Sequence, residues 1–305
     1  MGSNHARIIN ESTRADLHMV FDANKAVCDR AAASWDAIPA ASLEQMEECD
    51  AVVVATSTAS HVSIADHFLS KGKALLIEKP LCGTLQETRD VIERSKAQGS
   101  VLTCGFVERF NPAVTTALKL VDEPVRHLWS YRHSPYNPRA SSGVVTDLLI
   151  HDLDLTTRLA PVVGLPKVGA SLWKPAEHSF TETADCTLQY RSEMTAVQSA
   201  SRWGQRKIRE IRISTDSLLL EIDLLRVTVT AYRHRSQGGT PEEPMTYRSE
   251  TMIEVPFVRH AGEPLGLQFE HFVDLIDGTA DKKAELETLE APHVLADLVE
   301  HFGSL

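Results

Sequence analysis

An aspartate and a histidine four residues apart are well placed for acid–base chemistry. They are Asp147 and His151, inside the run Gly143–Asp154. Four residues place both side chains on one face of a helix whose other positions are apolar. Two titratable groups, stacked and half-buried, suit a proton relay, because a carbinol carbon that loses a hydride also needs a base for its hydroxyl proton.

Two other interpretations of this run stay open. His151 could be a core histidine with satisfied hydrogen bonds, or it could join Asp152 and Asp154 in a metal site. Asp152 lies about 100° around a helix from His151, which is poor geometry for ligation from one face. We therefore expect no metal.

A lysine follows a buried strand in the first third of the chain. The strand is Ala74–Ile77, and Glu78-Lys79-Pro80 comes directly after it. Ligands of a parallel sheet gather at the carboxyl ends of its strands, so Lys79 is expected to point into a cofactor crevice. Pro80 makes the backbone rigid there. The alternative is a solvated surface lysine on a loop.

The N-terminus contains part of a dinucleotide-binding pattern. Such a fold needs a strand, a Gly-x-Gly-x-x-Gly turn and a helix, with an acidic residue about 20 positions on that binds a ribose hydroxyl. Here Gly2 precedes a helical segment, Asn4–Asn10, and Asp22 ends a strand. Gly2 then corresponds to the third glycine. An ordinary N-terminal helix is the competing interpretation.

The elements around these residues predict two domains. Between residues 15 and 105, apolar strands without alternation are separated by helices, which indicates a parallel sheet covered on both faces. After residue 125, strands follow one another with short turns, which indicates a large, mainly antiparallel sheet. We predict an α/β, Rossmann-type domain over residues 1–105 and an α+β domain over residues 106–305.

Charge and composition exclude several classes of protein. A net charge of -11 disfavours a broad surface for nucleic acid or an anionic membrane. Five cysteines without a CxxC pair indicate reduced thiols, not a disulfide framework or a zinc site. No apolar run is long enough to span a membrane, and the N-terminus has no secretory signal. We expect a cytoplasmic protein that binds neither nucleic acid nor membranes.

The order of these motifs resembles the glucose–fructose oxidoreductase, inositol dehydrogenase and MocA family (Gfo/Idh/MocA) over essentially the whole chain. Asp50–Ser57 with His61, Glu78–Leu81 and Gly143–Asp154 carry the resemblance. It implies hydride transfer between a nicotinamide cofactor and a sugar hydroxyl. His151 would be the general base. Lys79 would hydrogen-bond the reacting hydroxyl and favour alkoxide character, and Asp147 would orient the substrate or tune His151.

The resemblance also implies a cofactor site. Asp22 favours NAD over NADP, because a carboxylate there repels a 2′-phosphate and no arginine follows directly. The cofactor-binding residues implied are Gly2, Asp22, Thr56, Ser57, His61, Glu78 and Lys79.

A narrower resemblance is to the UDP-N-acetylglucosamine 3-dehydrogenase branch. It rests on Glu108–Ala113, Tyr131–Pro135, the Asp147 motif, and Trp203 with Lys207–Arg209. It implies oxidation at C3 of a UDP-amino sugar, with the substrate residues Arg109, Asn111, Arg132, Arg139, Asp147 and His151. Cations for a diphosphate could come from Arg132, Arg139, Arg206, Lys207 and Arg209. Alternatively, about half of the charges over Arg206–Arg212 face water along a strand.

One departure from the family pattern concerns the first strand and the first two glycines, which this sequence lacks. Without that central strand its neighbours would expose unpaired backbone groups. We expect a start site at an internal Met in a protein roughly 8–12 residues longer, with a genuine inactive truncation as the competitor. The chain as given is then expected to bind NAD weakly or not at all, and an extended chain normally.

Two further expectations concern the class and assembly of the protein. A non-catalytic sugar or nucleotide sensor on the same fold is the rival to an enzyme, since the family includes a regulator branch. The presence of Lys79, Asp147 and His151 together favours the enzyme. A large open sheet needs one face covered, so a homodimer or homotetramer through the C-terminal sheet is expected.

Overall fold

The computed structural model describes residues 1–138, 140, 142–159, 164–237 and 248–302. Its contacts divide the chain into two compact units. Residues 1–107 and 262–297 form the first unit. The described residues between 108 and 261, with residues 298–302, form the second.

The first unit begins with alternating helices and strands, as the sequence predicts. Its strands are short, and every residue of the strand Ala74–Ile77 is buried, which explains its uninterrupted apolar sequence. The strands are β1 (Met19–Val20), β2 (Ile38–Pro39), β3 (Ala51–Val54), β4 (Ala74–Ile77) and β5 (Leu102–Cys104). The helices are α1 (Gly2–Glu11), α2 (Lys25–Trp35), α3 (His61–Leu69) and α4 (Leu85–Gln98).

Local sequence signals fix the ends of α4. The Thr84 hydroxyl accepts a hydrogen bond from the Glu87 amide, and the Glu87 carboxylate accepts one from the Thr84 amide, so the two residues form a capping box. The helix ends at Gly99, whose φ of 64° lies in the left-handed region that glycine adopts without strain.

The strands of this unit form two parallel sheets. In the larger one, β3 pairs with β4 and β4 with β5, so that Val54 lies opposite Ile77 and Ile77 opposite Cys104. In the smaller one, β1 pairs with β2, with Met19 opposite Ile38. The predicted Rossmann-type class is confirmed. The absence of a first strand stays a prediction.

Three C-terminal helices follow: α7 (Pro264–Asp277), α8 (Lys282–Glu287) and α9 (Glu290–Phe302). The sequence prediction assigns residues 262–297 to the second domain, and the structure corrects this. Phe269 and Phe272 of α7 share a buried cluster with Ile8 of α1 and Leu76 of β4. The segment therefore belongs to the first unit, because its apolar face covers the parallel sheet.

The second unit is built on an eight-stranded sheet. Its strands are β6 (His127–His133), β7 (Lys167–Trp173), β8 (Thr183–Gln189), β9 (Thr195–Ser201), β10 (Ile208–Ser214), β11 (Leu219–Asp223), β12 (Thr228–Gln237) and β13 (Arg248–Glu254). The order is β13-β12-β11-β10-β6-β9-β8-β7. All neighbours are antiparallel except β6 and β9, which run parallel. The predicted large, mainly antiparallel sheet is confirmed.

One face of this sheet is buried and the other is open. Along β6, Leu128 and Ser130 are buried, whereas Trp129 and Tyr131 are exposed. The buried side carries the helical elements of the unit. They are α5 (Pro112–Leu120), a π-helical turn over Val145–Leu149, and α6 (Ile150–Leu159).

The described residues contain no candidate membrane-spanning helix and no candidate metal site. None of their helices combines the length and apolar character needed to cross a membrane. Within the same residues, no three His, Cys, Asp or Glu side chains are grouped so that they could hold a metal ion.

Thiol labelling checks the burial of the cysteines. Four of the five are buried, and Cys49 is half-buried. Burial raises the pKa of the Cys82 and Cys186 thiols to about 12, and the thiolate is the reactive form. We expect an aromatic disulfide reagent at pH 8 to modify about one thiol in the native protein, and all five after denaturation. Rapid release of five equivalents from the native chain would contradict the structure.

Candidate active site

The loop that carries Lys79 is held by two buried histidines. The ring Nδ1 of His61 lies 3.1 Å from the carbonyl oxygen of Pro80 and 3.2 Å from that of Leu81. The Leu81 amide donates to Nε2 of His293, at 2.9 Å. His61 comes from the start of α3 and His293 from α9, so two helices fix this short loop.

His293 was missed by the sequence analysis, and the reason is physical. Its Nδ1 donates to the Leu289 carbonyl oxygen at 2.7 Å, which leaves Nε2 as the acceptor for the Leu81 amide. The partner lies 212 residues away in sequence. No local pattern reports such a contact. His61 was predicted to bind cofactor; it is 1% exposed and its ring faces backbone carbonyls.

Glu78 joins the Lys79 loop to the first helix. Its Oε1 lies 2.7 Å from Nε2 of His5, and both side chains are buried. Its Oε2 accepts a hydrogen bond from the Lys79 amide at 3.3 Å. The backbone of Gly105 lies close to Glu78, and a Cβ at that position would lie 2.7 Å from Oε2. Both oxygens of Glu78 therefore have protein partners, which fits a role in holding this loop.

The remaining residues predicted for the cofactor lie near the ends of parallel strands or at a helix start. Asp22 follows β1, and Thr56 and Ser57 follow β3; all three are exposed. Gly2 begins α1, and a Cβ there would meet nothing within 4 Å. An exposed carboxylate, hydroxyl groups and an open helix start suit the ribose and pyrophosphate parts of NAD. On this donor set the residues fit the cofactor.

Asp147 and His151 belong to the second unit and lie at a junction between two kinds of helix. Asp147 is in the π-helical turn, and His151 is the second residue of α6. The sequence pattern predicts a single helix here. Single π turns inside α-helices are rare, and those that occur lie frequently at functional sites. The Asp147 amide donates to the Gly143 carbonyl oxygen at 3.0 Å, so the glycine of the motif starts this turn.

A buried arginine holds the Asp147 carboxylate. Arg202, only 1% exposed, directly follows β9, and its Nη1 lies 3.2 Å from Oδ2 of Asp147. Its Nε donates to Glu182 at 2.9 Å, and its Nη2 donates to the carbonyl oxygens of Ser142 and Thr181. One guanidinium group thus joins two carboxylates and two backbone segments. The role of Arg202 could not be predicted from the sequence, because nothing near it in sequence reveals these partners.

Arg132 was predicted to bind substrate, and the structure gives it other partners. It is 2% exposed, makes a forked contact with Asp152, and donates to Glu108 at 2.9 Å. Arg209 reaches the same Glu108 oxygen at 3.1 Å. Burial opposes ionisation of Glu108, but the charges of Arg132 and Arg209 outweigh it and hold the pKa of this carboxyl below its usual value.

Arg109 and Asn111 also have internal partners. Arg109 forms a forked, buried contact with Asp154. Asn111 caps α5 by accepting from the Ala113 amide, and donates to Glu108. For Arg109, Arg132 and Asn111 the substrate role stays a prediction, and these contacts do not support it. Arg139 lies outside the described residues.

Comparisons with known proteins place these motifs in context. Residues 1–106 match the Gfo/Idh/MocA family, described as an oxidoreductase family with an NAD-binding Rossmann fold. This description agrees with the NAD expected from the sequence. UDP-N-acetylglucosamine 3-dehydrogenase of Acidithiobacillus ferrooxidans is 30% identical over 202 residues, which is 65% of this chain and 63% of that protein. Inositol 2-dehydrogenase of Rhizobium meliloti is 28% identical over 51% of this chain and 50% of its own.

These alignments span less than two thirds of each relative's length. Solved structures extend the likeness in fold. A structure of the Acidithiobacillus ferrooxidans enzyme covers 99% of this chain and 94% of its own, at a TM-score of 0.85 and 24% identity. Levoglucosan dehydrogenase, in complex with NADH and levoglucosan, covers 100% of this chain and 94% of its own, at a TM-score of 0.83 and 14% identity. The match to the Gfo/Idh/MocA oxidoreductase family thus covers residues 1–106, and the chain has the fold of the solved dehydrogenases that it resembles.

Proposed function

We propose that the protein is an NAD-dependent dehydrogenase that oxidises a sugar hydroxyl, with C3 of a UDP-amino sugar as its substrate position. The observation that carries the proposal is the match of residues 1–106, which include Lys79, to an oxidoreductase family, and Asp147 and His151 at the π–α junction of the second unit support it. The similar protein from Acidithiobacillus ferrooxidans, named for UDP-N-acetylglucosamine, supports the choice of sugar.

Each residue of the set has a defined task in this proposal. His151 takes the proton of the reacting hydroxyl, because an imidazole both accepts and gives a proton near neutral pH. The Lys79 ammonium donates to the hydroxyl oxygen and favours its alkoxide form. Asp147 orients the sugar or tunes His151. Bound NAD supplies the acceptor for the hydride.

The cofactor would be held by the residues at the strand ends and at the helix start. Asp22 would accept from the ribose hydroxyls, and its negative charge disfavours the 2′-phosphate of NADP. Thr56 and Ser57 would supply hydroxyl contacts, and the α1 amides at Gly2 would face the pyrophosphate. The hydrogen bonds that Glu78 and His61 make with the Lys79 loop would keep Lys79 in place.

The test is the appearance of NADH absorbance when the protein receives candidate sugars together with NAD at a concentration high enough to fill a weak site. We expect turnover with UDP-N-acetylglucosamine and little or none with free hexoses or inositols. NAD binding is measured separately by calorimetric titration. Clear NAD binding without turnover on any sugar of the panel would favour a sensor over an enzyme and overturn the proposal.

Arg202 gives a prediction about how Asp147 is positioned. In Arg202→Met the Asp147 carboxylate loses its buried guanidinium partner, and misplacement by about 1 Å of a catalytic group can cost up to about 100-fold in rate. We expect kcat to fall by about 10- to 100-fold, with a smaller change in the KM for sugar. The readout is steady-state kinetics, with thermal unfolding as a check on folding.

A matched variant separates positioning from folding in that experiment. Arg202→Lys keeps the positive charge but loses the fork, and should recover part of the lost kcat. If Arg202→Met folds and turns over like the wild type, the proposed anchoring of Asp147 is incorrect.

We also propose a homodimer formed through the open face of the eight-stranded sheet. This face has a concavity of ≈ 780 Å³ whose lining includes Trp129, Tyr131 and Val197, all about 40% exposed. Large exposed apolar patches mark association sites. We expect Val197→Lys to shift the mass measured by light scattering from dimer to monomer. A wild-type monomer at micromolar concentration would refute this assembly.

A further inference from the structure

Four aromatic rings lie together beyond one end of the eight-stranded sheet. They belong to Tyr136, Trp173, His178 and Trp203, called here the aromatic rim. The Trp203 ring is 5.2 Å from that of Trp173, 5.6 Å from His178 and 5.7 Å from Tyr136, measured between centroids. Tyr136, Trp173 and Trp203 are each nearly half exposed. No role assigned above uses these rings.

Strand register brings the rim together. Trp173 lies opposite Thr183, Thr183 opposite Ser201, and Ser201 opposite His133, which forms one row across four strands. Trp203 lies two residues after Ser201 along the chain, and Tyr136 lies three residues after His133. The sheet therefore brings Trp173, Trp203 and Tyr136 to the same end, which lowers the cost of ordering these rings when a ligand binds.

A close backbone contact fixes the loop of Trp203. The Gly204 amide donates to the Ser134 carbonyl oxygen at 2.9 Å, and a Cβ at Gly204 would lie 3.2 Å from that oxygen. The Trp203 amide donates to the Ser201 hydroxyl at 3.0 Å. Glycine permits this approach, and it holds the loops of Trp203 and Tyr136 against each other.

A chain of polar contacts joins the rim to Asp147. Nδ1 of His178 lies 3.3 Å from Oε1 of Glu182. Glu182 accepts from Arg202 at 2.9 Å, and Arg202 reaches Asp147 at 3.2 Å. The rim and the carboxylate proposed to act on the sugar therefore share one framework of side chains.

Two cations follow the rim tryptophan. Arg206 and Lys207 come three and four residues after Trp203, and both are exposed. Among the contacts of the described residues, neither side chain has an ion-pair partner, whereas the nearby Arg209 is paired with Glu108. In a chain of net charge -11, such a local pair of cations suits an anionic group of a ligand.

We propose that the aromatic rim, with Arg206 and Lys207, binds the nucleoside diphosphate part of a sugar nucleotide. The base stacks on the exposed face of Trp203 or Tyr136, since every base presents a π-face to an aromatic side chain. The two cations contact the diphosphate. The inference rests on the proposed function and adds to it the subsite that separates a sugar nucleotide from a free sugar.

The test uses UDP alone as the probe, with the full chain and without turnover. Calorimetric titration and quenching of tryptophan fluorescence give its affinity. Loss of one base-stacking contact lowers the affinity by about 10- to 100-fold, and we expect a decrease of this size for Trp203→Ala. Arg206→Ala should weaken UDP and inorganic pyrophosphate alike. Trp203→Phe keeps a ring and should retain most of the affinity, which controls for misfolding.

Phe257→Ala is the matched control and should leave the UDP affinity unchanged, because this exposed ring belongs neither to the aromatic rim nor to the lining of the concavity on the open sheet face. Unaltered UDP affinity in Trp203→Ala overturns the subsite. A changed oligomeric mass with unaltered UDP affinity would show instead that the rim is a contact between copies of the chain. Wild-type protein that oxidises a free sugar without binding UDP would overturn the subsite while leaving the dehydrogenase intact. UDP binding lost in Trp203→Ala, with no NADH formed by the wild type, would overturn only the dehydrogenase.

Discussion

The His151→Ala variant is expected to lose about 100- to 10,000-fold in kcat for sugar oxidation, the range that a positioned acid–base group contributes. His151 stands at the π–α junction, four residues after Asp147, and is half-buried. Alanine leaves no group at this position to take the hydroxyl proton. The measurement is NADH formation at saturating substrate and cofactor, with NAD affinity measured in parallel by titration.

A second histidine of the same unit provides the control for this variant. His260 is exposed and lies outside the motifs, so His260→Ala should keep wild-type turnover. His151→Ala should keep its affinity for NAD, because no cofactor contact is assigned to this residue. Full turnover by His151→Ala would remove it from the role of base and would favour a core histidine instead.

Much of the fold follows from local sequence patterns. The capping box at Thr84 and Glu87 sets the start of α4 in isolation from the rest of the chain. The uninterrupted apolar strand before Glu78 specifies a position buried on both faces, and hence a parallel sheet. Motif spacing singles out Lys79, Asp147 and His151 because chemistry needs particular residue types at particular intervals.

The remainder depends on partners far apart in sequence. Packing of α7 on Ile8 and Leu76 requires two apolar faces to meet across the chain, and periodicity does not say which faces pair. Arginine side chains usually lie at the surface of a protein. Arg132 is nevertheless buried, because two carboxylates compensate its charge. Arg202 and His293 show the same limit: each holds a site residue or site loop through a contact that only the fold creates.

The buried charges around Arg132 yield the largest effect expected on stability. Asp152→Ala leaves the Arg132 guanidinium buried with only Glu108 to compensate it, a residue that Arg209 also contacts. Removal of one partner of a buried ion pair costs about 3–5 kcal/mol of unfolding free energy. We expect a loss of this size in urea denaturation monitored by circular dichroism. A comparable loss of turnover at temperatures below unfolding is not expected, since Asp152 faces the sheet and not the sugar in this proposal.

The double variant Arg132→Met/Asp152→Leu tests whether Asp152→Ala is destabilising because it leaves a buried charge without its partner. If the cost of Asp152→Ala is the uncompensated charge, removing both charges with apolar groups of similar volume should recover most of the unfolding free energy. The exposed pair Arg126–Asp216 is the matched control, and Asp216→Ala should change stability much less. A double variant as unstable as Asp152→Ala would mean that the pair contributes through its geometry. In that case Arg132 and Asp152 would specify how α6, with His151 at its start, is seated on β6.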